Sequence, residues 1–447
     1  MKFIERLKNL SGNKLKIFKN VFWAMIGKIV NMIGALFVGI LVARYLGPEQ
    51  YGVMNYIISY VALFTIVATF GLSNIEVREL SKRKDEKNVI IGTCFRLRLF
   101  FATVAYIMIV ATLVVFKTDS FTTAMILLYG VTLYTQCCFE VIRNYFTSII
   151  KNEYVVKSEI ARTIIGACLK IILLYLKAPL WCFIAAIVFD TFLVSSGYVI
   201  TYRKTVGGLR EWKYDKSLVR YYINQSFPLL LSGAAVIIYQ RIDQVMIGNM
   251  IDKQSVGCFA TAGKFLDIIL FLPTVLTQTV TPLIVKAKES GNVNEYEHKS
   301  FQFLSLVVWI SIILAAIFSM SAYWMIYYTY GEQYLAAVPV LQIMAWKTVG
   351  MAISSSGGQL IIIEKIQKWA VFRNVAGCVV CIILNLLLIP IYGVVGSAFV
   401  TIVTLFVSGF IANYLIPPYR HIFKLECRVL LYGWRELKYF KSFITNK

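Results

Sequence analysis

The stretch LVARYLGPEQYGVMNYIISYVALF, residues 41–64, contains two apolar runs with a short polar turn between them. The first run reaches back to about residue 21 and the second forward to about residue 74. Each therefore supplies the roughly 20 residues that an α-helix needs to cross a hydrocarbon core. The turn is too short to hold a folded segment. The returning run starts with an aromatic residue and a glycine, Tyr51 and Gly52, directly after it. A helical hairpin through a membrane satisfies all of these features.

The rest of the chain repeats that unit. It is 447 residues long, 59% hydrophobic and only 15% charged, with a mean hydropathy of +0.71. A soluble domain has roughly 45–50% apolar and about 25% charged residues. Twelve spans are expected, at 21–42, 53–74, 99–116, 121–142, 163–176, 180–201, 227–249, 255–285, 301–320, 338–362, 374–389 and 394–415. The fifth and eleventh are short. The eighth contains Pro273 and Pro282 and should be kinked, because proline removes a backbone donor. With the N-terminus placed in the cytoplasm, 36 of the 45 Lys and Arg fall in cytoplasmic segments. Arg44, Lys117, Lys177 and Lys253 alone fall in external loops, and the other five lie inside spans. This asymmetry predicts N-in, C-in topology. It also accounts for most of the +22 net charge without nucleic acid as a partner. Residues 1–20 are basic, with Phe3, Ile4, Leu7 and Leu10 at helical spacing, and read as an interfacial segment. Residues 416–447 read as a basic cytoplasmic tail.

Catalytic and cofactor chemistry finds little support. The nine cysteines are scattered, and Cys378 and Cys381 form a lone C-x-x-C that reads as packing. The two histidines, His298 and His421, lie in charged loops, and no phosphate-binding glycine motif is present. The longest external loop, 321–337, has one acid and no base, which argues against a membrane glycosyltransferase or polymerase. A non-enzymatic protein without cofactor or metal is expected.

The two halves of the chain echo each other. At an offset of about 205 residues QYGVMNYI (50–57) falls on SVGCFATA (255–262), each starting a helix after a tight external turn. Two six-helix bundles are expected, at 21–205 and 226–415, joined by a cytoplasmic linker at 206–225. Such repeats are common in transporters, with the site between the halves.

The hairpin at 41–64, FGLSNIEVREL (70–80), and RIDQVMIG followed by SVGCFATAGKF resemble oligosaccharide-lipid flippases of the Wzx type. These belong to the multidrug/oligosaccharidyl-lipid/polysaccharide exporter superfamily. The resemblance implies two six-helix bundles around a central cavity, alternating access, and an undecaprenyl-pyrophosphate-linked oligosaccharide as cargo. It implies a role in making O-antigen, capsule or exopolysaccharide at the bacterial plasma membrane. The expected partners are the lipid-linked oligosaccharide, membrane lipids, and polysaccharide polymerase and chain-length machinery, with the protein itself a monomer. A multidrug or peptidoglycan-lipid exporter of the same superfamily is the alternative.

Eight charged residues inside spans stand out: Lys28, Lys170, Asp190, Arg241, Asp243, Lys264, Asp267 and Lys347. Each costs about 2.5–3.5 kcal/mol at a helix centre, so each should face a cavity or a partner. Arg241 and Asp243 are two residues apart and point to different sides of their helix. Depth makes Asp243–Lys264 a candidate ion pair, with Asp267 one turn further along. Two readings of this group stand: a clamp between spans seven and eight, or cations facing the lumen. Arg241, Lys264, Lys28, Lys347 and, at the outer mouth, Arg44 are the candidate cargo-binding cations. Asp190, Asp243 and Asp267 are candidate coupling or ion-pair carboxylates. Asp190 has no basic residue within a turn of its own helix. It is read either as a protonated, hydrogen-bonded group or as a coupling site. Five cations against three acids favour an anionic cargo. Among uncharged residues, Asn31, Gln136, Gln240, Gln244, Gln278, Gln342, Tyr239 and Trp346 suit a sugar path or helix packing, and SSSGG (354–358) reads as tight packing or a gating bend.

Overall fold

The structure is a computed structural model that describes residues 12–116 and 118–439. Every regular element among them is helical. This is the expected outcome in lipid, where backbone groups must be satisfied within the segment. The helices are α1 (Gly12–Thr69), α2 (Ser73–Lys82), α3 (Lys87–Phe116), α4 (Ser120–Gly130), α5 (Cys138–Ser148), α6 (Asn152–Tyr175), α7 (Leu180–Thr205) and α8 (Lys216–Met250). There follow α9 (Lys253–Ile269), α10 (Phe271–Glu289), α11 (Val293–Tyr330), α12 (Ala337–Met344), α13 (Lys347–Ile363), α14 (Ala370–Phe406), α15 (Ala412–Leu415) and α16 (Arg420–Tyr432). The interfacial helix expected around Phe3, Ile4, Leu7 and Leu10 lies largely outside the described residues, as do Lys117 and the end of the tail.

Among the described residues nine helical stretches are long and apolar enough to cross a membrane. Two of them are hairpins. Gly47 breaks α1 with φ 72°, and Gly393 breaks α14 with φ 57°. Both are left-handed conformations that glycine adopts without a Cβ penalty. Pro48 directly follows the first break, at the start of the next helix where its missing N–H costs little, and Pro390 lies three residues before the second. The remaining span is α6, whose 24 residues are long enough although its first half is charged. The protein is therefore a multi-pass, all-helical membrane protein with about twelve spans. Polar turn residues start several of the helices. Asp119 accepts from Thr122 N at 2.8 Å, Asp252 from Ser255 N at 2.6 Å and Asn292 from Glu295 N at 3.2 Å. Each satisfies an N-terminal amide that the helix leaves unpaired.

The chain divides into two compact units. Unit 1 runs up to Leu46 and includes Ile57–Ala234, and unit 2 comprises Gly47–Tyr56 and Ala235–Lys447. The core of unit 1 gathers Leu72, Ile75, Ile91, Val141, Phe146 and Tyr202. That of unit 2 gathers Phe303, Leu304, Val307, Ile353, Leu360 and Ile422.

Two local expectations change, and a choice between two readings is decided. The break in span eight falls at Leu270, between α9 and α10, while Pro282 sits inside α10. Pro273 cannot donate to the carbonyl one turn earlier, so the ladder yields ahead of it. The supposed external loop 321–337 is mostly helix, because α11 runs on to Tyr330. Of the two readings of SSSGG, tight packing is the one the structure supports, since α13 runs without interruption from Lys347 to Ile363. A Cβ on Gly357 would strike the Glu426 carboxylate of α16, so its glycine makes room for a buried polar contact.

Candidate functional site

In unit 2 the site grows from the stretch IIYQRIDQVMIG (237–248) on α8. Two residues advance the helix by about 200°. Asp243 consequently turns inward and is 1% exposed, whereas Arg241 is exposed. Asn385 Nδ2 donates to Asp243 Oδ1 at 2.7 Å, and Cys381 Sγ approaches the same oxygen at 3.5 Å. Both partners come from α14. The C-x-x-C thus packs against Tyr239, with Cys381 touching the acid. Among the described residues no group of three His, Cys, Asp or Glu is arranged to hold a metal.

The expected Asp243–Lys264 ion pair does not form. Lys347 is the cation that acts most strongly on Asp243. Lys264 has Asp267, three residues on along α9, as its main attractive partner, and Arg241 repels it. Arg241, Lys264, Asp267 and Lys347 form one electrostatic group, with Asp243 at its buried edge. Three cations, Arg241, Lys264 and Lys347, thus stand against two carboxylates, Asp243 and Asp267.

In unit 1 Asp190 has a basic partner that its own helix did not reveal. Lys170 Nζ, on α6, pairs with Asp190 Oδ2 on α7. A Cβ on Gly166 would collide with that carboxylate, so glycine lets the pair sit between the helices. Lys170 is thereby occupied rather than directed to an interface.

Unit 1 also contains a cavity of about 700 Å3. Its walls carry three cations, Lys28, Arg143 and Arg162, and two acids, Glu140 and Glu159. Amides line it as well, among them Asn31, Asn74, Gln136 and Asn144. Arg44 is not among its lining residues. Thr163 donates to Asn31 Oδ1, so that amide oxygen is already engaged.

A buried network forms one wall. Arg98 is fully buried, and its Nε and Nη2 donate to Glu76 at 2.6 and 2.9 Å. Nη1 donates to Glu140 at 2.8 Å and to the Cys137 carbonyl at 2.7 Å, and Nη2 to Ser73 Oγ at 2.9 Å. Asn144 Nδ2 completes the set, donating to Glu76 at 2.5 Å. Three cavity residues, Ser73, Glu140 and Asn144, are thus held in place by two side chains behind them. A π-turn over Leu133–Cys137 carries Gln136 into the same wall. Such turns are often found at functional sites. It is tied down by Ser195, which donates to the Thr135 carbonyl at 2.7 Å, and by the 2.8 Å contact of the Thr135 and Thr191 hydroxyls.

Of the candidates read from sequence, the structure gathers Arg241, Asp243, Lys264, Asp267 and Lys347 in unit 2. It sets Lys28 in the cavity of unit 1, pairs Asp190 with Lys170, and leaves Arg44 exposed. Arg98, Glu76, Glu140, Arg143, Glu159 and Arg162 were assigned to cytoplasmic segments or passed over. One signal was available. The apolar run 163–176 is too short to cross a bilayer, so its helix had to begin earlier and draw Glu159 and Arg162 inward.

Comparison with known proteins fits this architecture. The profile of the family described as polysaccharide biosynthesis protein matches residues 17–288, more than half of the chain. That of the MatE family matches residues 228–387. No curated protein matched in sequence. Among solved structures the chain is similar to lipid II flippase MurJ in an inward closed conformation, at 13% identity and a TM-score of 0.69. That match covers 93% of this chain and 92% of the other. An inward-facing multidrug resistance MATE transporter shares 15% identity, with a TM-score of 0.66 over 89% of this chain and 95% of that one. A mutant Vibrio cholerae MATE transporter also shares 15% identity, with a TM-score of 0.57 over 93% and 98% of the two chains. At such identities the likeness shows a common fold, and the profile shows the family. The chain belongs to the polysaccharide biosynthesis protein family, within the multidrug/oligosaccharidyl-lipid/polysaccharide exporter superfamily.

Proposed function

We propose that the protein flips an undecaprenyl-pyrophosphate-linked oligosaccharide repeat unit from the inner to the outer leaflet of the bacterial plasma membrane, by alternating access. The cavity of unit 1 is the observation that carries this reading. Its volume of about 700 Å3 lies in the range of small-molecule sites, roughly 300–1,000 Å3. Its amides, hydroxyls and charges suit a hydroxyl-rich head group better than an apolar drug. The cations of unit 2, Arg241, Lys264 and Lys347, are the groups proposed to take the pyrophosphate, since charge-assisted contacts to phosphate are the strongest such groups make. Asp243 is the carboxylate proposed for proton or cation coupling. Asn385 Oδ1 beside it is buried without a hydrogen-bond partner among the described residues. The salt bridge to Lys170 favours a structural role for Asp190.

The MatE match over 228–387 supports the second reading, a multidrug exporter. The excess of cations over acids in unit 2 speaks against organic cations as cargo. The deciding experiment follows lipid-linked sugar on the outer leaflet of cells depleted of the protein. The flippase reading requires the sugar to disappear from that face and return on re-expression. Unchanged outer-leaflet sugar, together with new sensitivity to cationic drugs, would establish the second reading. N-in, C-in topology requires single cysteines at positions 44 and 253 to label from outside and those at 84, 204 and 288 from inside, in a cysteine-free background.

A further inference from the structure

We propose that the unit 1 cavity is a site for an acidic sugar, with Arg162 as the carboxylate clamp. This deepens the flippase reading and rests on it. The carboxylates of the cavity are already held. Glu140 accepts from Arg98 at 2.8 Å. Glu159 accepts from Tyr198 Oη at 3.1 Å and lies 3.6 Å from Arg143 Nε. Arg162 differs: it lines the cavity, yet its guanidinium makes no hydrogen bond or ion pair among the described residues. A planar guanidinium presents a fork of donors that matches a carboxylate bidentately.

The charge balance narrows the ligand further. Three cations against two acids leave an excess of one positive charge in the cavity. That suits a monoanion. A pyrophosphate brings more negative charge and would meet Glu140 and Glu159 on the same walls. The side-chain amides of Asn74 and Gln136 also line the cavity and have no partners among the described residues. Each offers a donor and an acceptor to sugar hydroxyls. Valines 77, 155, 156 and 194 supply apolar walls against which the C–H faces of a pyranose pack. A uronic acid combines all of these features: one carboxylate, several hydroxyls and apolar ring faces.

The test uses the purified full chain in nanodiscs and saturation-transfer NMR, with D-glucuronate, D-glucose and inorganic pyrophosphate as probes. Glucuronate should receive clearly more saturation than glucose. Arg162→Gln should weaken glucuronate binding at least tenfold, and the surface substitution Lys299→Gln should not change it. Glu159→Gln should keep or strengthen binding, because it frees Arg143. This variant carries the test if Arg162→Gln fails to fold. Equal signals from glucose and glucuronate, or retained binding in Arg162→Gln, would overturn the proposal. So would displacement of glucuronate by pyrophosphate at lower concentration, which would make this a phosphate site. Glucuronate binding that persists in a protein shown not to translocate lipid-linked sugar would remove the flippase reading and leave the site standing.

Discussion

Gly52 and Gly257 meet backbone to backbone within unit 2. A Cβ on Gly52 would run into the main chain of Lys253 and Gly257, and one on Gly257 into that of Pro48 and Gly52. These are the two glycines that align when the halves of the sequence are offset by 205 residues. Each follows an aromatic or apolar residue at the start of a returning helix. Small residues let membrane helices approach closely. Here the obstacle on each side is main chain, which cannot swing aside as a side chain would. Gly52→Ala should therefore destabilise by about 1–3 kcal/mol, the usual cost of overpacking. Gly263, with no heavy atom near its would-be Cβ, provides the contrast. Gly263→Ala should leave the melting temperature within error, and equal losses at the two positions would refute the close-packing argument.

Arg98 is the group that unit 1 can least spare. It lies fully buried between two carboxylates, and its removal leaves Glu76 as an uncompensated buried charge. Breaking one side of a buried pair costs about 3–5 kcal/mol. Arg98→Met should lose that much, measured by thermal unfolding in detergent. Arg98→Met combined with Glu76→Gln should recover a substantial part, since no bare charge then remains on Glu76. Additive losses in the double variant would mean that the two side chains are not energetically coupled.

The fold was legible because lipid imposes one period and one length. Runs of about 20 apolar residues, and lysines and arginines confined to alternate loops, left few arrangements open. What stayed hidden was polar chemistry whose partner lies far along the chain. Asp190 looked unaccompanied because Lys170 reaches it from a neighbouring helix. Asp243 was matched to Lys264 by depth, although helix rotation turns it instead towards Asn385, 142 residues away. Arg98 and Arg162 fall between the expected spans, whereas both lie inside helices, α3 and α6. Depth along a helix follows from counting residues, whereas azimuth depends on how each helix is rotated against its neighbours.

The tail helix α16 carries a pH-sensitive contact outside the membrane. His421 Nε2 lies 2.7 Å from Glu364 Oε2, and Tyr296 Oη donates to Glu364 Oε1 at 2.8 Å, with Lys288 over the Tyr296 ring. The hydrogen bond to Glu364 raises the His421 pKa above its ordinary value. Burial alone would raise Glu364, but the bonds from His421 and Tyr296 outweigh it and hold that carboxyl below its usual range. A raised histidine contributes stability that is complete below its unfolded pKa and is lost as pH rises through the folded one. A lowered carboxylate contributes above its unfolded pKa and loses that contribution as pH falls through the folded value. The contact should thus be strongest between about pH 5 and 6.5. The melting temperature should decline from about pH 6 to 8.5, and His421→Gln should flatten that decline. An unchanged slope in His421→Gln would assign the pH dependence to other groups.

Arg241 is the sharpest test of how unit 2 treats its cargo. The side chain is exposed, it repels Lys264 and Lys347, and the acid two residues away faces the opposite side. Nothing in its surroundings requires a cation for neutrality. If Arg241 grips a phosphate, lysine should replace it poorly, because an ammonium is a point charge without the guanidinium fork. Losing one charge-assisted contact costs roughly 1.5–3 kcal/mol, about ten- to over a hundredfold in binding. Arg241→Gln should therefore reduce lipid-linked sugar on the outer leaflet by at least tenfold at matched protein levels. Its melting temperature should hold or rise, since a repelling charge has been removed. Arg241→Lys should recover only part of the transport. Loss of both transport and thermal stability in Arg241→Gln would instead make this arginine part of the fold, and full transport would move the phosphate contact to Lys264 and Lys347.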